Sequence, residues 1–274
     1  MQIGTNSIAQ TAVRAIHSAN SAAAIASERI STGFRINRAS DDPAGLMLGN
    51  RLKTQITSTA KAIDNISQGV AMTQIVDSSL SQIVDVLGYM RVSAVAAQSS
   101  TASTSDRTAY QDAIDAYVAE INSISDNATW NGSSLMNTAS SVDIQSGAQS
   151  GDTIGIYFTK ITNTVLGVNS LSVSTAANAD SAVDSIDAAL NTVNEYQGYM
   201  GAMANVMTAQ SDVLSSISTA YSSAYGNVMN ADLAQETANL AAAQIQRDGA
   251  TAMLTQANSM NKEIVAFLLK SVTN

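Results

Sequence analysis

Apolar residues recur in steps of three and four along most of the chain, and in steps of two over one short stretch. Over residues 5–31, Ala9, Ala12, Ile16, Ala19, Ala23, Ala26 and Ile30 form a thin seam at coiled-coil spacing. Small residues dominate it, so whatever packs there must come close. Gly33 suits the residue that ends this helix. Asp42 followed by Pro43, the only proline, predicts the next helix start: the carboxylate takes orphan N–H groups and the fixed φ of proline costs nothing there. The stripe Ile63, Ile66, Val70, Thr73, Val76, Leu80, Ile83, Leu87, Met90 and Ala94 then carries that helix to about Gln98, on the order of 80 Å. Gly69 and Gly88 weaken it by about 1 kcal/mol each relative to Ala without breaking the pattern.

A polar loop, residues 99–108, leads to a third helix with Asp106 as its expected cap and Tyr110, Ile114, Tyr117, Ile121 and Ile124 as its seam. After a turn at Thr129-Trp-Asn-Gly132 the period becomes two. Val142 and Ile144 alternate, Gly147–Gly151 reads as a hairpin tip, and Ile154, Ile156 and Phe158 alternate again. Leu171 and Val173 suggest a short third strand. A fourth helix is expected from Asp180 to about Asn230, with Ile186, Leu190, Val193, Met200, Met207 and Leu214 in its seam. The last helix carries Leu233, Leu240, Ile245, Ala252, Met253, Ala257, Met260, Ile264 and Phe267. Its apolar end, Ile264 to Leu269, holds more than one isolated helix buries, so the N-terminal seam or other copies must cover it. The expected fold is mainly α: an elongated rod of long coiled-coil-like helices, with paired N- and C-terminal helices and one small β-hairpin region at about 140–175.

Composition sharpens this. Of 274 residues only 4% are aromatic and 13% charged, too few large side chains for a round core. The net charge of −9 argues against nucleic acid as a partner. Residues 1–60 carry +3 and the rest −12, an opposition compatible with self-association, although a solvated face is the commoner origin of such a pattern. There is no cysteine, which removes disulfides, thiolate catalysis and Cys-ligated metal. No stretch approaches the roughly 20 apolar residues of a membrane span, so membrane insertion is not expected. The first residues lack the basic region and apolar run of a Sec signal peptide, so export would use another route.

Candidate chemistry is sparse. His17 is the only histidine, with no second His or Cys for a metal and no triad to join. Gly147-Ala-Gln-Ser-Gly151 lacks the lysine of a phosphate loop and reads as a turn. Met200, Met203 and Met207 fall at helical spacing and read as packing. Asn65, Asn127 and Asn131 head N-glycosylation patterns at chance frequency for such a chain. Neither an enzyme nor a bound cofactor is expected.

Several blocks in order resemble bacterial flagellin. They are Glu28-Arg-Ile-Ser-Thr-Gly-Phe-Arg-Ile-Asn37 with Asp41-Asp-Pro-Ala-Gly-Leu46, then Asn127-Ala-Thr-Trp-Asn-Gly132, then Val142-Asp-Ile-Gln-Ser-Gly-Ala to Ile154, then Ala231–Leu240, Ala243-Gln-Ile and Leu254-Thr-Gln-Ala-Asn258. The resemblance implies a subunit of the helical flagellar filament used for swimming. It would be exported unfolded through the flagellar type III apparatus and would be extracellular. Its implied partners are many copies of itself, the export apparatus, an export chaperone, the filament cap and the hook-junction proteins. It also implies a division into an inner terminal coiled coil, residues 1–40 plus 232–274, and a rod domain, residues 41–231. Expected self-assembly residues are Ile16, Ile30, Arg29, Arg35, Arg38, Asp41, Asp42, Leu240, Ile245, Met260, Ile264, Phe267 and Leu268. The three arginines should meet carboxylates of their own or neighbouring chains.

Three departures from the family pattern stand out. No room remains between Val173 and Asp180 for the variable outer domain of many flagellins. In Leu87–Ala97, Tyr89, Ser93 and Ala96 occupy the positions of the key Arg, Leu and Gln of the receptor-recognition helix, while Arg91 persists. This predicts weak or no activation of the vertebrate Toll-like receptor for flagellin. Pro43 stands where Ala is commoner, and Asp-Asp-Pro also occurs in hook–filament junction proteins. A junction protein is therefore the alternative reading, ahead of a surface adhesin or glycan-binding rod.

Overall fold

A computed structural model describes residues 6–272, with side chains to residue 267. In chain order its elements are α1 (Ser7–Thr32), α2 (Pro43–Gln98), α3 (Thr104–Asn127), β1 (Thr129–Trp130), β2 (Ser133–Ser134), β3 (Ser140–Gln145), β4 (Thr153–Phe158), α4 (Ala176–Met229) and α5 (Leu233–Val272). Contacts divide the chain into two units, Met1–Thr54 with Tyr221–Asn274, and Gln55–Ala220.

In the first unit, α1 packs antiparallel on α5. Asn6 Nδ2 donates to the Ala257 carbonyl at 2.9 Å near one end, and Arg29 meets Glu236 at 2.9 Å near the other. The buried positions are Ala12, Ala19 and Ala26 on α1 and Glu236, Ala243 and Ala257 on α5, all spaced by heptads. The alanine seam expected of α1 is therefore the one that packs. Of the seam expected of α5, Ala257 packs and Leu240 is half-buried, whereas Leu233, Ile245, Met253, Met260, Ile264 and Phe267 are exposed. The alanines of α1 allow close approach, which Ala243 and Ala257 of α5 match, while Glu236 is accommodated at the end where Arg29 meets it. Asp42 caps α2 as expected, its Oδ1 accepting the Gly45 N–H at 2.9 Å. A Cβ on Gly45 would stand 2.5 Å from Ile36 Cδ1, so the helix start is seated on buried Ile36.

The second unit is a layer of antiparallel helices. Arg91 of α2 meets Asp187 of α4, and Gln98 Nε2 donates to Asp180 at 2.9 Å. Leu80, Ile83 and Leu87 of α2, Ile114 and Ile121 of α3, and Ile186 and Val193 of α4 fill its centre. The β3–β4 hairpin lies against α2 and α4: a Cβ on Gly69 would come 2.8 Å from Met207 Sδ and 3.1 Å from Ile144 Cγ1. Its register pairs Val142 with Ile156 and Ile144 with Ile154. The outer edge of β4 is closed by α4, where Tyr199 Oη accepts the Tyr157 N–H at 3.2 Å and Tyr196 Oη accepts the Thr159 N–H at 2.9 Å. Burial pushes the Tyr196 phenol up to about 12. The β1–β2 link is Asn131-Gly132, with φ of 47° and 78°, the left-handed pair a tight hairpin turn requires.

Three sequence expectations are corrected here. Ser103, not Asp106, caps α3; Asp106 returns the bond to the Ser103 N–H at 2.9 Å and completes a capping box. Leu171–Val173 forms no strand, because the Gln111 side-chain amide takes a strand's place, donating to the Leu171 carbonyl and accepting the Val173 N–H. Helix α4 begins at Ala176, not Asp180, since Thr175 Oγ1 already accepts the Asn178 N–H. Only residues 159–175 join β4 to α4, so no outer domain is inserted there.

Candidate self-assembly surfaces

The basic segment after α1 is built from backbone geometry first. Gly33 ends the helix at φ 74°, a conformation that any side chain would strain, with its N–H on the Arg29 carbonyl. The chain then pairs with the end of α4: Arg35 N–H donates to the Met229 carbonyl at 2.7 Å and Ala231 N–H to the Gly33 carbonyl at 2.9 Å. Phe34 meets the Tyr225 ring edge-on at 6.1 Å. With the backbone held, each arginine has a fixed direction. Arg29 reaches Glu236, Arg38 meets Glu28 at 3.0 Å, and Arg35 Nη2 donates to the Val228 carbonyl at 2.8 Å. Within the chain, then, two of the three find carboxylates and Arg35 finds a carbonyl.

The carboxylates of this segment are structural too. Asp41 Oδ2 accepts the N–H groups of Arg38 and Asn37, which hold its carboxyl below the usual range. Burial works against the charge of Glu236, but the Asn239 amide and the Arg29 guanidinium outweigh it and keep the carboxyl low. Glu236 escaped the sequence reading, although it stands one heptad before Ala243 in the alanine series that the α5 seam follows.

The remaining expected residues separate into two groups. Ile16, Ile30 and Leu240 are half-buried in the α1–α5 pair. Ile245, 72% exposed, Met260, Ile264 and Phe267, 73% exposed, are left uncovered by it; Ile264 stands one heptad beyond Ala257, past the described start of α1. The Leu268 side chain lies outside the described residues. Exposed Ile8, Val13 and Ile25 on α1 and Met47 on α2 add apolar surface to this unit that periodicity did not single out. In Leu87–Ala97, the segment expected to align with a receptor-recognition helix, Arg91 is held by Asp187 through two bonds, of 2.6 and 3.2 Å. Those bonds raise the Arg91 pKa and lower that of Asp187. Tyr89 is exposed with its ring 6.0 Å from that of Tyr117, and Ser93 and Ala96 are half-buried. Among the described residues no three His, Cys, Asp or Glu side chains converge on a metal position, and no helix is long and apolar enough to cross a membrane.

A zipped pair of helices that leaves a large apolar remainder exposed, with no converging catalytic or metal-binding side chains among the described residues, has the make-up of a helical structural protein. Comparison with known proteins narrows this. The bacterial flagellin N-terminal helical region matches residues 3–141, and the bacterial flagellin C-terminal helical region matches residues 183–268. A flagellin of Halalkalibacterium halodurans is 32% identical over 89% of this chain and 90% of its own length. Flagellin FlaB1 of Treponema pallidum is 28% identical over 98% of this chain and all of its own length. A putative flagellar hook-associated protein from Vibrio parahaemolyticus has a TM-score of 0.59 at 14% identity, covering 69% of this chain and all of that one, and shows the fold alone. The chain belongs to the bacterial flagellin family. It is a short flagellin, a structural subunit of the extracellular filament that drives swimming.

Proposed function

We propose that residues 1–40 and 232–274 act as the inner domain of the subunit and residues 41–231 as its rod domain, and that the exposed apolar face of α5 is the main contact between copies. The observation that carries this is the split on α5: alanines bury against α1, while Ile245, Met260, Ile264 and Phe267 are left to water. Side chains of that size gain about 1.5–3 kcal/mol each when fully buried, far more than the small residues of the seam. A head-to-tail contact that does not close yields an open helical polymer, which suits a filament. In this reading Arg29, Arg38, Asp41 and Asp42 act within the subunit by holding the Glu28–Leu46 segment, and their effect on assembly is indirect. The family supports export through the flagellar type III apparatus, with a chaperone on the free subunit and the cap and hook-junction proteins as further partners.

The test is removal of Met260–Asn274. Purified subunits lacking it should form no filaments by negative-stain electron microscopy after seeding in salt, while the helicity of the remainder persists. Filaments of normal length would remove α5 as the main contact. A general loss of helix in the free subunit would show that the segment serves folding instead.

A further inference from the structure

The methionines of this chain divide by environment. Met72, Met90, Met136, Met200 and Met207 are buried in the Gln55–Ala220 unit and Met229 in the other. Met253 and Met260 on α5 are 57% and 46% exposed. They are one heptad apart, so both thioethers lie on one face of the helix, about 10 Å from each other. Ile264 and Phe267 continue that face. Met47 is the remaining strongly exposed methionine among the described residues, and it lies on α2.

Thioether sulfur is oxidised in proportion to its access to the oxidant. We propose that Met253 and Met260 are a paired oxidation site through which peroxide-class oxidants block self-association of the free subunit. The sulfur lone pair attacks the terminal peroxide oxygen, the O–O bond breaks, one oxygen is transferred and water leaves. Sulfur is oxidised by two electrons and peroxide is reduced by two. The product is a polar, chiral sulfoxide where an apolar side chain stood. This inference rests on the reading that the α5 face meets second copies of the chain. There the sulfoxide oxygen would be buried with no donor opposite, weakening the contact by roughly tenfold per residue. Copies already assembled would shield the same sulfurs, so the site acts before polymerisation.

The full-length free subunit is treated with hydrogen peroxide, the oxidised positions are mapped by peptide mass spectrometry, and seeded polymerisation is followed by light scattering. Met253 and Met260 should convert at least about tenfold faster than Met90 or Met200. The critical concentration should rise about 100-fold with far-UV circular dichroism unchanged, and methionine sulfoxide reductase should restore it. Met253→Leu/Met260→Leu, compared with its own untreated state, should show no change in critical concentration on peroxide treatment, whereas Met47→Leu should remain sensitive. Normal polymerisation of the doubly oxidised subunit overturns the proposal, as does a peroxide-sensitive double-leucine variant or a loss of helix on oxidation. Phe267→Asp separates the two ideas. If it blocks assembly while the doubly oxidised subunit polymerises, the α5 contact stands and the oxidation site falls. If Phe267→Asp also polymerises, both fall.

Discussion

Arg29→Ala is the most informative single change in the paired ends, because it leaves a carboxylate in an alanine seam. The Glu236 side chain is 9% exposed and that of Arg29 28%. Breaking one side of a fully buried pair costs about 3–5 kcal/mol, whereas an exposed pair contributes about 0.2–1 kcal/mol. Two supports survive the change: the Asn239 amide at 3.2 Å, and the position of Glu236 in the first turn of α5, where the helix dipole favours negative charge. The loss should therefore fall between the limits, at about 2 kcal/mol, a factor of roughly 30 in the paired population. Hydrogen exchange of the α1 amides from Ala19 to Arg29 reads it directly.

The pH dependence should change sign. In the native chain the Glu236 carboxyl lies below its unfolded value, so its contribution is present above that unfolded value and is lost as pH falls through the folded one. Without Arg29, burial dominates and favours the neutral acid, so acidification should restore protection instead of removing it. Glu236→Gln should flatten the dependence in either background. Native-level protection in Arg29→Ala at neutral pH would refute the reasoning. So would a variant that still loses protection on acidification.

Other predictions concern the Gln55–Ala220 unit and the segment after α1. Gly88→Ala, with nothing within 4 Å of the added Cβ, should stabilise by about 0.5–1 kcal/mol and raise Tm, whereas Gly69→Val, forced against Met207 and Ile144, should destabilise by about 1–3 kcal/mol in chemical unfolding. Ser103→Ala removes the α3 capping box and should cost about 1 kcal/mol. Arg35→Glu sets a carboxylate against the Val228 carbonyl and should impair filament formation, seen as fewer filaments by electron microscopy. Purified subunit should activate the vertebrate Toll-like receptor for flagellin weakly in reporter cells, the expected outcome if Tyr89, Ser93 and Ala96 stand at its recognition positions as the resemblance implies; Arg91 is in addition engaged by Asp187.

What was legible in the sequence follows from where each signal originates. Helix ends written in local chemistry, Gly33 and Asp42-Pro43, were readable because a left-handed φ and an orphan N–H have few solutions. The stripe from Ile63 to Ala94 was readable because its partners lie in the same chain and its apolar residues are large. Leu171–Val173 misled because alternation reports which side chains are buried, not what bonds the backbone; a single glutamine side chain satisfied both groups. Helix α5 misled for a deeper reason. Periodicity ranks positions by apolar size, and on α5 the largest residues are not those buried within the chain. Close approach to α1 selects alanine at 243 and 257, so the strong apolar signal at Ile245, Met253, Met260 and Phe267 falls on positions beside that seam that α1 leaves exposed. A seam for the chain's own fold and, in the function proposed above, a surface for further copies are thus superimposed in one α5 sequence. Residue size tells them apart once the spacing of the partner helix is known: small side chains mark the intramolecular seam, and the large exposed ones are those the fold itself leaves uncovered.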